Sequence, residues 1–254
     1  MSAKQSDLEI NGITVPCLRG GEGRQLLVLH AEFAAGVWGR FHDLLAERFE
    51  VIMPEHPGFG RFERPDWLDG MPDLVYHYLE LLDRLGSGQF NLLGESFGGW
   101  IAAELAALVP ERLRSLVLIA PMGVSGPRAQ TPDIFVMNEA QRRQLTLLRP
   151  DGKSSGAETS RQELERQARV KATLARVGWN PYLHDPRLPH WLHRARLPCL
   201  LLWGQADRFI APETAELWLQ RMPNARLRTV EHAGHFPQLE QPEETAKAVM
   251  EFLA

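Results

Sequence analysis

The sequence predicts an α/β fold, a mostly parallel sheet with helices on both faces, on three observations. Short apolar runs bounded by turn residues alternate with longer segments whose apolar residues recur at helical spacing. The short runs are continuously apolar, as strands covered on both faces require. Between Met122 and Arg196 this rhythm stops, yet no Gly/Ser/Pro-rich linker divides the chain into two halves with their own strands, so one core with an insertion is expected.

Taken in order, Leu8 to Ile10 and Ile13 to Val15 flank Asn11-Gly12, the strongest short hairpin signal, and predict an antiparallel edge hairpin ahead of the parallel sheet. Strands follow at Leu26 to His30, Val51 to Pro54, Phe90 to Leu93, Leu116 to Ala120, Cys199 to Trp203 and Leu227 to Val230. Helical spacing covers Phe41 to Phe49, Leu74 to Leu85, Trp100 to Val109, Glu213 to Arg221 and Glu243 to Leu253. Residues 122–196 carry helical patterns of their own, over Ile134 to Arg149 and Gln162 to Val177, and read as a helical cap inserted into a core of residues 1–121 and 197–254. Within it, the polar stretch Asp151-Gly152-Lys153-Ser154-Ser155-Gly156 reads as a mobile loop.

Composition narrows the partners. Lys plus Arg total 28 against 32 for Asp plus Glu, with neither sign in a long run, which argues against nucleic acid. Apolar runs such as Leu26 to Leu29 and Leu116 to Ala120 are far shorter than the roughly 20 residues of a membrane span, so no membrane is expected. Met1 to Glu9 is polar and lacks the features of a signal peptide, which points to the cytoplasm. Cys17 and Cys199 lie in predicted strands without redox-motif neighbours and are expected to be reduced and structural. His184-Asp185 and His190-Trp191-Leu192-His193 suggest metal ligands, but prolines break up the segment and no thiolate or carboxylate cluster completes a site, so no metal is expected.

The chemistry centres on Gly94-Glu95-Ser96-Phe97-Gly98-Gly99, which follows an apolar strand and leads into a helix. That strand, turn and helix setting marks Ser96 as a nucleophile on a sharp turn, with glycines keeping side chains out of a crowded space. A lone G-x-S-x-G also arises as a plain glycine-rich turn with a capping serine. The flanking elements argue against that.

A serine hydroxyl needs an imidazole to accept its proton, and the imidazole needs a carboxylate to fix its tautomer. Asp207 lies just past the strand Leu200-Leu201-Leu202-Trp203, where catalytic groups gather in open α/β sheets. The loop after the preceding strand, Pro121-Met122-Gly123-Val124, offers no rival carboxylate. For the base, His235 is preferred over His232 because it lies deeper in the last loop and follows Gly234; His232 is expected to brace that loop. The oxyanion donors are expected to be the backbone amides of Phe97 and Glu32, the latter in the loop His30-Ala31-Glu32-Phe33. A carboxylate beside an oxyanion opposes catalysis, so the Glu32 side chain is expected to turn away toward nearby amides or the next helix N-terminus. The sharper alternative is contact with a polar or cationic part of the substrate. His30 reads as a loop anchor.

These residues resemble the α/β-hydrolase superfamily over nearly the whole chain. The resemblance rests on His30, Pro54-Glu55-His56-Pro57-Gly58-Phe59-Gly60, Gly94-Glu95-Ser96-Phe97-Gly98-Gly99, Trp203-Gly204-Gln205-Ala206-Asp207 and Gly234-His235, in the expected order. It implies an eight-stranded sheet with a cap between the sixth and seventh strands, no cofactor, and hydrolysis. Two positions depart from the pattern: Ala31 where Gly is usual and Phe62 where Ser is common.

The reading is a hydrolase of small carboxylic esters working through Ser96, His235 and Asp207, as a monomer or homodimer with a small-molecule substrate. Carbon-carbon hydrolases of dienoic ring-fission products are the second reading, weakened by Glu95, Phe97 and Phe236 where those enzymes commonly have Asn, Met and Trp. A low-turnover small-molecule receptor on the same scaffold is the third. Phe33, Phe62, Phe135, Trp179, Trp191 and Phe236 are the expected apolar substrate contacts. Arg128, Arg142 and Arg143 are read as a solvated helix face, with a substrate carboxylate as the alternative.

Overall fold

The computed structural model describes residues 3–10, 12–126, 131–150 and 160–254. Its strands are β1 (Lys4–Gln5), β2 (Leu8–Ile10), β3 (Ile13–Val15), β4 (Cys17–Gly20), β5 (Arg24–Leu29), β6 (Phe49–Pro54), β7 (Phe90–Glu95), β8 (Leu113–Ile119), β9 (Cys199–Gly204) and β10 (Ala225–Val230). Its helices are α1 (Arg40–Leu45), α2 (Met71–Leu85), α3 (Phe97–Leu108), α4 (Glu139–Thr146), α5 (Arg161–Gly178), α6 (Leu188–Trp191), α7 (Thr214–Leu219), α8 (Pro237–Glu240) and α9 (Pro242–Leu253). Eight strands form one sheet in the order β1-β4-β6-β5-β7-β8-β9-β10. The pairs from β6 to β10 are parallel, and β1 and β4 add an antiparallel edge.

The continuous apolar runs have the meaning the sequence suggests. Side chains of a strand alternate between faces, so Leu27, Leu29, Leu92, Leu116, Leu118 and Leu201 join one core with α2 and α3. Leu26, Val28, Leu93, Val117, Ile119, Leu200 and Leu202 join another with α1 and α9. Each such leucine contributes roughly 1.5–3 kcal/mol by leaving water, so cutting one to alanine costs about 2–5 kcal/mol. The hairpin expectation needs correction. Leu8–Ile10 and Ile13–Val15 do pair, but as a separate two-stranded sheet, and the edge of the main sheet is β4 with β1. Asn11 lies outside the described residues, as do Arg128 and the stretch 151–156.

Between β8 and β9, the sixth and seventh strands of the main sheet, run α4, α5 and α6. The expected helix over Ile134 to Arg149 is shorter, because Asn138 caps it: its side chain accepts the Gln141 N–H at 2.9 Å while Gln141 accepts the Asn138 N–H at 2.9 Å. Ser160 caps α5 by accepting the Glu163 N–H at 3.2 Å. Thr173 of α5 ties the segment to the core by donating to the Gly58 carbonyl, and within the segment Gly123 pairs with the stretch around His184.

Candidate active site

Ser96 sits where β7 meets α3, with φ 49° and ψ −110°, a conformation L-residues rarely adopt. The surroundings allow no other path. A Cβ at Gly94 would lie 2.5 Å from the Gly98 carbonyl oxygen, and one at Gly98 would run into the Leu29 backbone. The Ser96 N–H donates to Ile119 at 2.9 Å, and its carbonyl accepts from Trp100 and Met122 at 3.2 and 3.0 Å. Such strain costs about 1–3 kcal/mol, which these contacts and glycines offset.

The three expected residues meet. His235 Nε2 lies 2.8 Å from Ser96 Oγ, and His235 Nδ1 lies 2.8 Å from Asp207 Oδ2. Asp207 holds its orientation by accepting the Phe209 and Ile210 N–H groups on Oδ1 at 2.9 and 3.0 Å. That leaves Oδ2 for the imidazole, so Nδ1 carries a hydrogen and Nε2 accepts from Ser96. Phe209 and Phe236 flank the ring at 4.9 and 4.7 Å between centroids and keep water from its faces. Burial works against charge on His235, but the Asp207 carboxylate outweighs it, with help from Glu32, and the net shift is upward from the ordinary histidine value. Ser96, His235 and Asp207 therefore form one buried hydrogen-bonded chain.

The loop that carries Glu32 is held from behind. His30 Nε2 accepts the His56 N–H at 3.0 Å, so Nδ1 donates to the Ala31 carbonyl at 2.7 Å. His56 Nε2 donates to the His30 carbonyl at 2.8 Å while its Nδ1 accepts from Tyr78 at 2.5 Å. Burial holds both rings neutral, His30 at about 4 and His56 well below its usual value. His30 is thus the loop anchor the sequence suggests. Among the described residues, no acceptor takes the N–H of Glu32 or Phe97, which leaves both amides available to an anion near Ser96.

A cleft of about 280 Å³ opens between the core and α4 and α5, bordered by Glu95 and Phe236, the sequence neighbours of Ser96 and His235. Phe33 and Phe236 line it as expected. Four other expected contacts do not. Phe62 is buried against His77 in the core; Phe135 packs on Trp179 and Tyr182, leaving Trp179 58% exposed. Trp191 borders a separate, larger groove of about 510 Å³; Ser96, Asp207 and His235 line neither hollow, and it is the smaller one that their sequence neighbours Glu95 and Phe236 border. Arg142 also departs from its expected solvated face: it is buried in the cleft wall, its guanidinium 4.2 Å from the Phe33 ring centroid and bonded to the Met137 carbonyl at 3.0 Å. Arg143 lines the same cleft.

Glu32 does not find the amides expected for it. Its side chain is buried in the cleft and its Oε2 has no partner among the described residues. His232 is exposed, and the loop is tied through its carbonyl, which accepts from Gln241, rather than through its ring. Sequence reasoning missed His42, Gln238 and the Glu95 side chain in the cleft, and Thr146, whose carbonyl accepts the His235 N–H at 2.7 Å. No motif marks His42 or Thr146; Glu95 stands inside the Gly94-Glu95-Ser96 turn and Gln238 three residues past His235, positions that could have drawn notice to their side chains. Cys17 and Cys199 are free and buried, and burial raises both thiols, Cys17 to about 12. Among the described residues, no cluster of three His, Cys, Asp or Glu side chains is arranged to hold a metal, and no helix is long and apolar enough to cross a membrane.

An eight-stranded, mostly parallel sheet with a serine on a sharp strand-to-helix turn defines the class: this is the α/β-hydrolase fold. Residues 26–248 match the model of the Alpha/beta hydrolase family, and the chain belongs to that family. It is 32% identical, over 92% of its length, to the 2-hydroxymuconate semialdehyde hydrolase of Pseudomonas putida, of which it covers 88%. It is equally 32% identical, over 88% of its length, to the pimeloyl-[acyl-carrier protein] methyl ester esterase of Nitrosomonas europaea, of which it covers 93%. The structure of the 2-hydroxy-6-oxo-6-phenylhexa-2,4-dienoate hydrolase of Rhodococcus sp. superposes with a TM-score of 0.79 at 21% identity, covering 99% of each chain, a likeness of fold. Hydrolases and esterases on both sides make the chain an enzyme of the hydrolase class.

Proposed function

We propose that the enzyme cleaves small carboxylic esters through Ser96, His235 and Asp207, with residues 122–196 acting as a cap over the cleft. The hydrogen-bonded chain from Asp207 through His235 to Ser96, 2.8 Å at each link, is the observation that carries this reading. Ser96 Oγ attacks the ester carbonyl as its proton passes to His235 Nε2. The Phe97 and Glu32 amides take the oxyanion, Asp207 stabilises the imidazolium, and His235 returns the proton to the departing alcohol. Water then adds to the acyl-enzyme with His235 again as base, releasing the acid and restoring Ser96.

Turnover of p-nitrophenyl butyrate by wild type and Ser96→Ala tests it: the variant should lose at least roughly 10³-fold in kcat. Equal rates would refute the reading. The relatives named as dienoate and muconate-semialdehyde hydrolases support a second reading, carbon-carbon cleavage at the same serine. Faster loss of a dienoate chromophore than of any ester would favour it.

A further inference from the structure

The floor of the 280 Å³ cleft holds more polar groups than ester cleavage uses. Glu32, His42, Glu95 and Gln238 are 2%, 5%, 2% and 3% exposed, and among the described residues each keeps one polar atom without a partner: Glu32 Oε2, His42 Nε2, Glu95 Oε1 and Gln238 Oε1. All four residues line the cleft. Buried polar atoms are rarely left unpaired, so four of them on residues around one hollow point to a ligand that reaches and pairs them.

The set has a definite donor and acceptor pattern. His42 Nδ1 accepts the Gly39 N–H at 3.2 Å, and burial lowers the ring to about 4, so it is neutral and carries its hydrogen on Nε2. That Nε2 lies 3.8 Å from Glu95 Oε1, too far for a hydrogen bond, and the contact is not an ion pair. Burial raises Glu95 to about 7, against bonds from the Gln238 side chain and the Ala31 backbone and with a push from Glu32. The floor thus offers one fixed donor, at His42, and acceptors at Glu32 and Gln238, with Glu95 able to serve as either. An ammonium would pair with the acceptors but leave the His42 N–H unmet, in a cleft that Arg142, Arg143 and Arg166 also line. A carboxylate would face Glu32. An alkyl group would leave all four unpaired. Hydroxyls both donate and accept, and match the set.

We infer that this floor is a subsite for a hydroxyl-bearing part of the substrate, so that the preferred esters carry free hydroxyls beside the scissile bond. The inference rests on the ester-hydrolase reading and names its substrate class. Two pairs of esters locate the hydroxyl: 2,3-dihydroxypropyl butyrate against propyl butyrate for the alcohol side, and ethyl 3-hydroxybutyrate against ethyl butyrate for the acyl side. In wild type, kcat/KM should favour the hydroxylated ester of at least one pair by roughly tenfold or more. Gln238→Met and His42→Phe, each near in shape to the original, should cut that ratio at least severalfold, with folding checked by thermal melts. Ratios near one in both pairs, with turnover still dependent on Ser96, would overturn the subsite alone, as would a ratio that survives in both folded variants. Ester turnover that persists in Ser96→Ala would instead overturn the hydrolase reading, and the subsite with it.

Discussion

Replacing Asp207 with Asn separates charge from geometry at the site. In wild type Oδ1 already accepts two backbone N–H groups, from Phe209 and Ile210 at 2.9 and 3.0 Å. An Asn side chain keeps those bonds by placing its oxygen in the same position, so its NH2 group must face His235 Nδ1. It then donates where the carboxylate accepted. The ring hydrogen moves to Nε2 and points at Ser96 Oγ, and the imidazole presents no lone pair to take the serine proton. The fold should survive, since the two side chains are isosteric and every packing contact of Asp207 is kept, while kcat falls by roughly 10⁴, about 5 kcal/mol of barrier.

The pH profile adds a second reading of the same change. His235 must be neutral to act as base, and its shift is upward, so wild-type kcat/KM should be full at high pH and fall as pH drops through a value above 6.5. In the Asp207→Asn variant the raising charge is gone and burial remains, which moves the inflection of the residual activity to lower pH. Steady-state rates with p-nitrophenyl butyrate from about pH 5 to 9 measure both effects. A loss below tenfold, or an inflection that stays where wild type has it, would show that Asp207 does not set the state of His235.

Two further outcomes follow from packing and burial. Gly234→Ala places a Cβ 2.6 Å from the Thr146 carbonyl oxygen, which also receives the His235 N–H, so kcat should fall at least roughly tenfold and the melting temperature should drop; unchanged kinetics would mean that the contact is easily relaxed. Glu95, ordinarily near 4.5 and raised to about 7, keeps its proton in the folded chain after the unfolded chain has lost it, so stability declines as pH rises between those values, by at most about 3 kcal/mol. Glu95→Gln removes that decline, and its melting temperature should gain on wild type from pH 4.5 to pH 8; an equal difference at both would refute the burial argument.

The residues that the sequence placed well are those whose position follows from the chain beside them. Ser96, Asp207 and His235 each stand one turn beyond a parallel strand, and strand order puts those ends side by side. The aromatic contacts had no such local determinant. Phe62, Phe135, Trp179 and Trp191 all carry the right chemistry for an apolar pocket, yet which way each faces is decided by how inserted helices and loops pack, a long-range matter. The hairpin shows the same division: the turn signal fixed that β2 and β3 pair with one another, but joining the main sheet fell to β4 and β1.

Arg142 and Thr146 make the consequence of that division chemical. Both lie on α4, so the helix that walls the cleft also holds His235: Arg142 covers Phe33 in the loop that carries the Glu32 amide, and the Thr146 carbonyl fixes the backbone of His235. The following residues repeat the link, since Arg208, next to Asp207, donates to the Leu147 carbonyl at 2.6 Å. Glu240 accepts from both Arg149 and Gly234, at 3.0 and 2.7 Å. A cap attached only at its ends would alter substrate binding and leave the chemistry alone. Here the end of α4 contacts the loops that carry His235, Asp207 and the Glu32 amide, and, on the proposed mechanism, a shift of about 1 Å at such groups is enough to lower a rate by roughly 10². Substitutions in residues 142–149 should therefore act on kcat as well as KM, because on the proposed mechanism the contacts that wall the cleft also position His235 and Asp207.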